Sequence, residues 1–420
     1  MARAGKTDRF AILRNRSLTI LMFGHFTVDM YAGLLPVLYP FLTDRFTLDL
    51  ATVGLVSLAY SGVASISQPL FGWLADRYGT RLTGLALLWT GLSFATIGFA
   101  PSFPILLLLA AAAGLGSGAF HPFGALNASA VIPDGQRNVA MSVYVTGGTV
   151  GVAVGPLIGA LLFSLFDVRG TALMALPGAG IAVWMLFAMR SVALRGRKAD
   201  EARDGAATQL APIPYAALSI VVGVMMLRML PIFGIQAFIP TWYKQLGYGA
   251  SFYGPLATVV VLASAVGSIG AGSLADRLGR RAIMLWTLVL SVPALLLFAQ
   301  YPGPLAFVTG ALMGLLAAST GPLLLVMAQQ LMRGRAGVAS GLILGLGFVA
   351  AAIGTPVFGA LADAVGMQQA VRAQVVVVLA TIVVAWYLPT EAQVDRIAAA
   401  AADHTGERPT GRPAAAKAVR

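Results

Sequence analysis

Cysteine is absent from the 420 residues. Disulfides, iron–sulfur clusters and thiolate zinc sites are thereby excluded, and the redox compartment stays open. Charge is scarce: Asp, Glu, Lys and Arg make up 10% of the chain, against about 25% in soluble domains. Histidine occurs three times. No G-x-x-x-x-G-K-[ST] and no H-E-x-x-H is found, which argues against ATP as fuel and against a zinc hydrolase. Glycine runs such as GSGAF (116–120) lie in apolar stretches and not after a soluble strand, so dinucleotide binding is not expected. No close acid pair suggests hydrolysis. Neither enzyme chemistry, nor a cofactor, nor a metal is expected. An intramembrane enzyme using its few polar residues is the remaining alternative of that class, and a receptor without transport is another.

What is there is apolar. Hydrophobic residues make up 58% of the chain and mean hydropathy is +0.83. Apolar residues form continuous runs instead of alternating, so a β-barrel is a poor fit and an all-α membrane protein a good one. Twelve runs are long enough to cross about 30 Å of hydrocarbon: 17–42, 53–74, 82–100, 104–130, 139–165, 170–190, 214–242, 252–273, 282–300, 303–331, 337–362 and 369–389.

A net charge of +12 would point to nucleic acid if it were clustered on one surface. It is instead sorted by side. Arg3, Lys6, Arg9, Arg14 and Arg16 precede the first run, and every second connection carries more, including Arg77 and Arg81, Arg137, Arg195 to Arg203, Arg277 to Arg281, Arg333 and Arg335. The intervening connections hold only Arg45, Arg169, Lys244 and Arg372. The positive-inside rule then puts both termini in the cytoplasm of a multi-pass protein of the cytoplasmic (inner) membrane. Its partners are expected to be lipid, protons and a small-molecule substrate, with no nucleic acid, in a monomer. Residues 1–16 show no small-residue cleavage site, so the first helix is expected to be retained.

The chain repeats itself at an offset of 200. GWLADRYGTR begins at Gly72 and GSLADRLGRR at Gly272; Pro40, Gly54, Pro122 and Pro156 are answered by Pro240, Gly254, Pro322 and Pro356. Two parallel six-helix bundles follow, 17–190 and 214–389, joined by a linker at 191–213 of mixed charge with Gly, Ala and Pro. Residues 390–420 read as a solvated cytoplasmic tail.

Two six-helix halves with G-x-L-A-D-R-x-G-x-R after the second helix of each resemble the major facilitator superfamily over essentially the whole chain. Within it, GHFTVDMYAGLLPVLYPFL (24–42), GSGAFHPFGALNASA (116–130) and AQQLMRGRAGVASGL (328–342) resemble the fosmidomycin-resistance efflux family. Physically, Gly72 and Gly79 allow a tight turn and close backbone approach. Asp76, beside Arg77, and Asp276, beside Arg277, can sit against the N-terminus of a neighbouring helix. The resemblance implies that these residues, with Arg81, latch one face shut until the halves rock.

Gly147, Gly151, Gly155 and Gly159 recur every fourth residue, with Pro156 among them. Such a stripe lets two helix backbones touch, and the proline permits a bend. GVAVGPLIGA (151–160) resembles a motif of drug–proton antiporters, which points toward export; ordinary tight packing is the alternative.

An acid in mid-span is expensive, and such residues are paired or face a cavity. Asp29 and His25 are one helical turn apart and share a face. His121 and Arg228 are the other chargeable groups deep in apolar runs. The offset maps residue 28 onto 228, so Asp29 and Arg228 occupy nearly equivalent places and are expected to confront each other across a central pathway. Asp29, His25 and His121 are candidate proton-coupling residues. Arg228, Tyr60, Gln68, Tyr144, Gln236 and Gln329 are candidates for lining a substrate cavity. Binding of a cation by Asp29 would mean antiport with protons, whereas binding of an anion by Arg228 is closer to symport. The resemblance implies proton-driven export of an anionic phosphonate or similar drugs.

Overall fold

The structure, a computed structural model, describes residues 15–131, 137–188, 213–332 and 336–405. Among the described residues there is no strand. The first half comprises α1 (Arg16–Phe46), α2 (Leu50–Ser57), α3 (Val63–Tyr78), α4 (Thr83–Thr96), α5 (Phe103–Ala130), α6 (Arg137–Phe166) and α7 (Ala175–Ala188). The second comprises α8 (Tyr215–Gln245), α9 (Ala250–Leu278), α10 (Arg280–Gln300), α11 (Ala306–Ala318), α12 (Gly321–Leu331), α13 (Ala336–Val365) and α14 (Met367–Ala385), and α15 (Glu391–Thr405) follows.

Ten helical stretches among the described residues are long and apolar enough to cross a bilayer. The stretch Thr83–Phe99 is apolar but shorter. The stretch Val143–Ala188 is too long for one crossing and is broken by a 3₁₀ segment, Asp167–Met174, whose first residue has φ 53°. Local chemistry sets these boundaries. Asn15 caps α1 by accepting from Leu18 N–H at 3.1 Å, and Asp49 caps α2 by accepting from Thr52 N–H at 2.7 Å.

The glycine stripe of α6 lies on α1. A Cβ on Gly147, Gly151 or Gly155 would fall on the backbone carbonyl of Met22, Phe26 or Met30. The backbones touch because no side chain stands between them.

The two halves repeat each other in detail. Gly114 lies against the Tyr60 carbonyl, and Gly314 against the Val260 carbonyl. Contacts between halves are exchanged by the same symmetry: Gly54 meets Pro356, and Gly254 meets Pro156 and Ala160. These contacts lie toward the end of the molecule remote from the termini. There Lys244 pairs with the Asp44 carboxylate, at a position 200 residues earlier, and donates to the Pro40 carbonyl at 3.0 Å. Asp363 of α13 accepts from the N–H groups of Leu50 and Ala51 at 2.9 Å each, capping α2 across the divide. A Cβ built at Gly341 or Gly345, toward the other end of α13, meets nothing within 4 Å.

Asp363 belongs to GALADAVG (359–366), a third instance of G-x-L-A-D-x-x-G beside 72–79 and 272–279. All three end in a glycine of positive φ: Gly79 at 85°, Gly279 at 88° and Gly366 at 84°. Positive φ strains any residue with a Cβ, so these are the places where glycine is required.

Two expectations change. Gly72 makes no close approach: its nearest neighbour for a Cβ is Pro122, at 4.0 Å, and Gly272 has none within 4 Å. The turn depends on Gly79 alone. The tail is not solvated throughout, because Glu391–Thr405 is helical, with Val394 buried. Glu391 anchors it by accepting from the N–H groups of Arg280 and Arg281 at the start of α10. Partial burial opposes ionisation of Glu391, but the backbone donors and Arg280 outweigh it and hold its carboxyl below the usual range. The linker expected at 191–213 lies almost entirely outside the described residues.

Candidate functional site

Three side chains from two helices converge inside the first half. His25 Nε2 lies 3.2 Å from Asp29 Oδ2, as their spacing on α1 requires. His121, from α5, brings its Nε2 to 3.0 Å from Asp29 Oδ1. Each ring is held from behind. His25 Nδ1 is 2.9 Å from the Tyr144 carbonyl, and His121 Nδ1 is 2.7 Å from the Ser117 carbonyl. The two imidazoles meet edge to face, with centroids 5.2 Å apart.

Accessibility is graded across the triad. The His25 side chain is 9% exposed, Asp29 19% and His121 28%. His121 is thus the member nearest an opening. The Tyr144 ring stacks on His25 at 4.3 Å. Its hydroxyl is buried without a hydrogen-bond partner. Tyr60 sits in a single π-helical turn, Leu58–Gly62, and like Tyr144 lies within electrostatic reach of Asp29. Such turns are frequent at functional sites.

Gly148 completes the site, and sequence reasoning passed over it. A Cβ there would collide with the Asp29 carboxylate and come within 2.6 Å of His25 Nε2. The glycine stripe was legible, but this glycine is off the stripe by one residue. Only the fold shows that it faces the triad.

Asp29 and Arg228 do not meet in this conformation. Arg228, buried on α8, donates through Nη2 to the carbonyls of Ala317 at 3.3 Å and Ala318 at 3.1 Å. Pro322 explains why the Ala318 carbonyl is free to accept from Arg228 and, at 3.2 Å, from the Ser268 hydroxyl. It has no N–H to give Ala318, four residues back, and the helix breaks between α11 and α12. Gly321 makes room, since a Cβ there would stand 3.1 Å from Arg228 Nη1. Equivalent position in the repeat therefore did not imply contact; Asp29 is met by the two imidazoles of its own half, and Arg228 by carbonyls of its own, with its buried Nε left without a partner.

The other candidates scatter. Gln236 and Arg228 line a small cleft among α8, α10, α11 and α14, about 30 Å³ in volume, room for about one water. Gln329 is half-buried on α12 and makes interactions of its own. Gln68 is half-buried on α3, and no contact among the described residues links it to the triad. At the termini end, Arg77 lies over the rings of Trp73 and Tyr78, 5.7 Å from each centroid. Arg81 and Arg277 are exposed. The side chains of Asp76 and Asp276 lie outside the described residues.

Comparison with known proteins agrees with this architecture. The sequence model of the Major Facilitator Superfamily matches residues 21–255 and again 221–418. An MFS-type transporter of Bacillus subtilis, YfnC, is 30% identical over 359 residues, covering 83% of this chain and 87% of its own. The fosmidomycin resistance protein of Escherichia coli is 27% identical over 357 residues, covering 82% and 86%. Among solved structures, a bacterial homologue of the human lysosomal transporter Spinster, inward-facing and occupied, superposes with a TM-score of 0.76 at 16% identity, covering 89% and 96%. The chain is a multi-pass, all-α membrane protein and belongs to the Major Facilitator Superfamily of transporters.

Proposed function

We propose that this transporter couples proton movement to efflux of a small organic compound by alternating access, with Asp29, His25 and His121 as the coupling group. The observation that carries this reading is the triad itself. A carboxylate deep in the bundle is shared by two imidazoles, and its most exposed member lies nearest an opening. Buried groups that gain and lose protons near neutrality are what a proton-coupled carrier needs. The relative that confers fosmidomycin resistance supports a drug-like substrate.

The sorting of Lys and Arg supports cytoplasmic termini in the inner membrane. On that orientation, the end closed by Asp363 and Lys244 faces outward, and the interior is open to the cytoplasm. Asp76 and Asp276, with Arg77, Arg81 and Arg277, then form the latch of the opposite, outward-open state. Gly79 and Gly279 turn the chain at both copies. Tyr60, Tyr144 and Gln236 line the route, with Gln68 and Gln329 nearer the cytoplasm.

The runner-up is a proton-coupled importer or facilitator of a small organic anion. Arg228 beside a cleft favours it, but that arginine already serves the carbonyl freed by Pro322.

Flux in proteoliposomes tests the reading, with fosmidomycin as first probe and an imposed pH gradient. Asp29→Asn is expected to abolish proton-driven flux while leaving the protein folded. Unchanged proton-driven flux in that variant refutes the role.

A further inference from the structure

The contacts around Asp29 also count protons. A carbonyl oxygen only accepts hydrogen bonds, so the contacts of His25 Nδ1 with Tyr144 O and of His121 Nδ1 with Ser117 O each place a hydrogen on Nδ1. That fixes what Nε2 presents. In a neutral ring with Nδ1–H, Nε2 carries a lone pair and no hydrogen. Yet each Nε2 lies against an oxygen of Asp29, at 3.2 Å and 3.0 Å. With the carboxylate ionised and both rings neutral, three acceptors would face one another with nothing between them.

We infer that the triad holds two exchangeable protons in this conformation, one in each Nε2–carboxylate contact. This rests on the reading of the triad as the coupling group and sets its stoichiometry. Loaded, the site is two imidazolium rings and one carboxylate, a formal charge of +1. Releasing two protons leaves two neutral rings and the carboxylate, a charge of −1, with every inward-facing atom an acceptor. Each cycle thus swings the site by two charges. The emptied site disfavours its own geometry, because the rings no longer have anything to donate.

Among the described residues, no other charged group meets the triad. From α6 comes Tyr144, whose ring stacks on His25 and whose hydroxyl has no partner. From the π turn comes Tyr60, and from α5, Phe120 beside both rings. The charge that α8 contributes is Arg228, held by the carbonyls of Ala317 and Ala318. Gly148 contributes no side chain.

With three histidines in the chain, imidazole ¹⁵N NMR on the purified full-length protein in detergent reads the site directly. His404→Gln removes the third signal. Two results are expected. Both remaining rings titrate, and each, when neutral, keeps its hydrogen on Nδ1, the minor form for a free histidine side chain in water. Proton release after a pH jump then falls by two in the double variant His25→Gln, His121→Gln, and by one in each single variant. A neutral ring protonated on Nε2, or a deficit of one in the double variant, overturns the inference. The NMR reading needs no substitution at the triad, so a misfolded variant does not obscure it. The outcome is separable from transport. Proton-driven flux with only one titrating ring retires the count and keeps the coupling group. Two titrating rings without proton-driven flux do the reverse.

Discussion

Gly148 and Asp29 are in contact: the α-carbon of one occupies the space that lets the carboxylate of the other reach both imidazoles. Any side chain at 148 must displace that carboxylate. Overpacking of this kind costs about 1–3 kcal/mol, and here the cost falls on the geometry of the coupling group. Gly148→Ala is expected to cut proton-driven flux at least as severely as it lowers thermal stability. Gly341→Ala, where a Cβ meets nothing within 4 Å, serves as the control and should leave both unchanged. Equal behaviour of the two variants would count against a coupling role for this geometry.

Arg228 and Pro322 should be energetically coupled. Removing the guanidinium leaves the Ala318 carbonyl with the Ser268 hydroxyl, 3.2 Å away, as its remaining donor, and so costs part of the about 1–3 kcal/mol of an unmade buried hydrogen bond. Pro322→Ala restores an N–H to that carbonyl. Arg228→Ala should therefore cost less in the Pro322→Ala background than in the unaltered chain, by about 0.5–1 kcal/mol. Thermal unfolding of the four proteins in detergent measures it. Identical losses in both backgrounds would show that the arginine is not there to serve the break.

At the closed end, two contacts differ in strength. Lys244 and Asp44 are 38% and 69% exposed as side chains, and exposed pairs contribute about 0–1 kcal/mol. Asp363 makes two charge-assisted bonds to a helix N-terminus, roughly 1–2 kcal/mol after allowing for exposure. Asp363→Asn should open this end more than Lys244→Ala does. Because the chain has no cysteine, spin labels at Ala51→Cys and Ala364→Cys report the distance without background. A larger opening with Lys244→Ala would reverse the ranking.

The docking of α15 should depend on acid in one direction. Glu391 has its carboxyl held below the usual range, near 4.3 for a free glutamate. Its contribution is therefore complete above that range and lost as pH falls through the lowered value. Protection of the 391–405 amides, taken relative to the unstructured rate at each pH, should be unchanged from pH 7 to pH 5. Exchange should accelerate at pH 7 in Glu391→Gln. Slow exchange in that variant would mean that Val394 and its neighbours hold the helix unaided.

Much of this architecture was legible because it is written in periods. Apolar runs read as crossings and the 200-residue offset as a repeat, and a spacing of four gave the His25–Asp29 pair and a face of α6 fit for close packing, without naming α1 as its partner. The convergence of His121 on Asp29 was not legible, since 92 residues separate them and only the packing of α5 beside α1 joins them. Arg228 misled for a related reason: repeat position says which residues are equivalent, not which backbone groups lack a partner. The third G-x-L-A-D-x-x-G went unread because it falls at the opposite end of the molecule from the other two and breaks the offset.

The exchanged contacts Gly54–Pro356 and Gly254–Pro156 have a mechanical consequence. Where they touch, both surfaces are small: Gly54 lies on the backbone of Thr355 and Pro356, and Gly254 on Pro156 and Ala160. One half can roll over the other there as on a bearing, with little to unhook. The resistance to motion then resides in the polar clasps beside these contacts, Lys244 with Asp44 and Asp363 with the start of α2, and this end of the molecule works as the fulcrum.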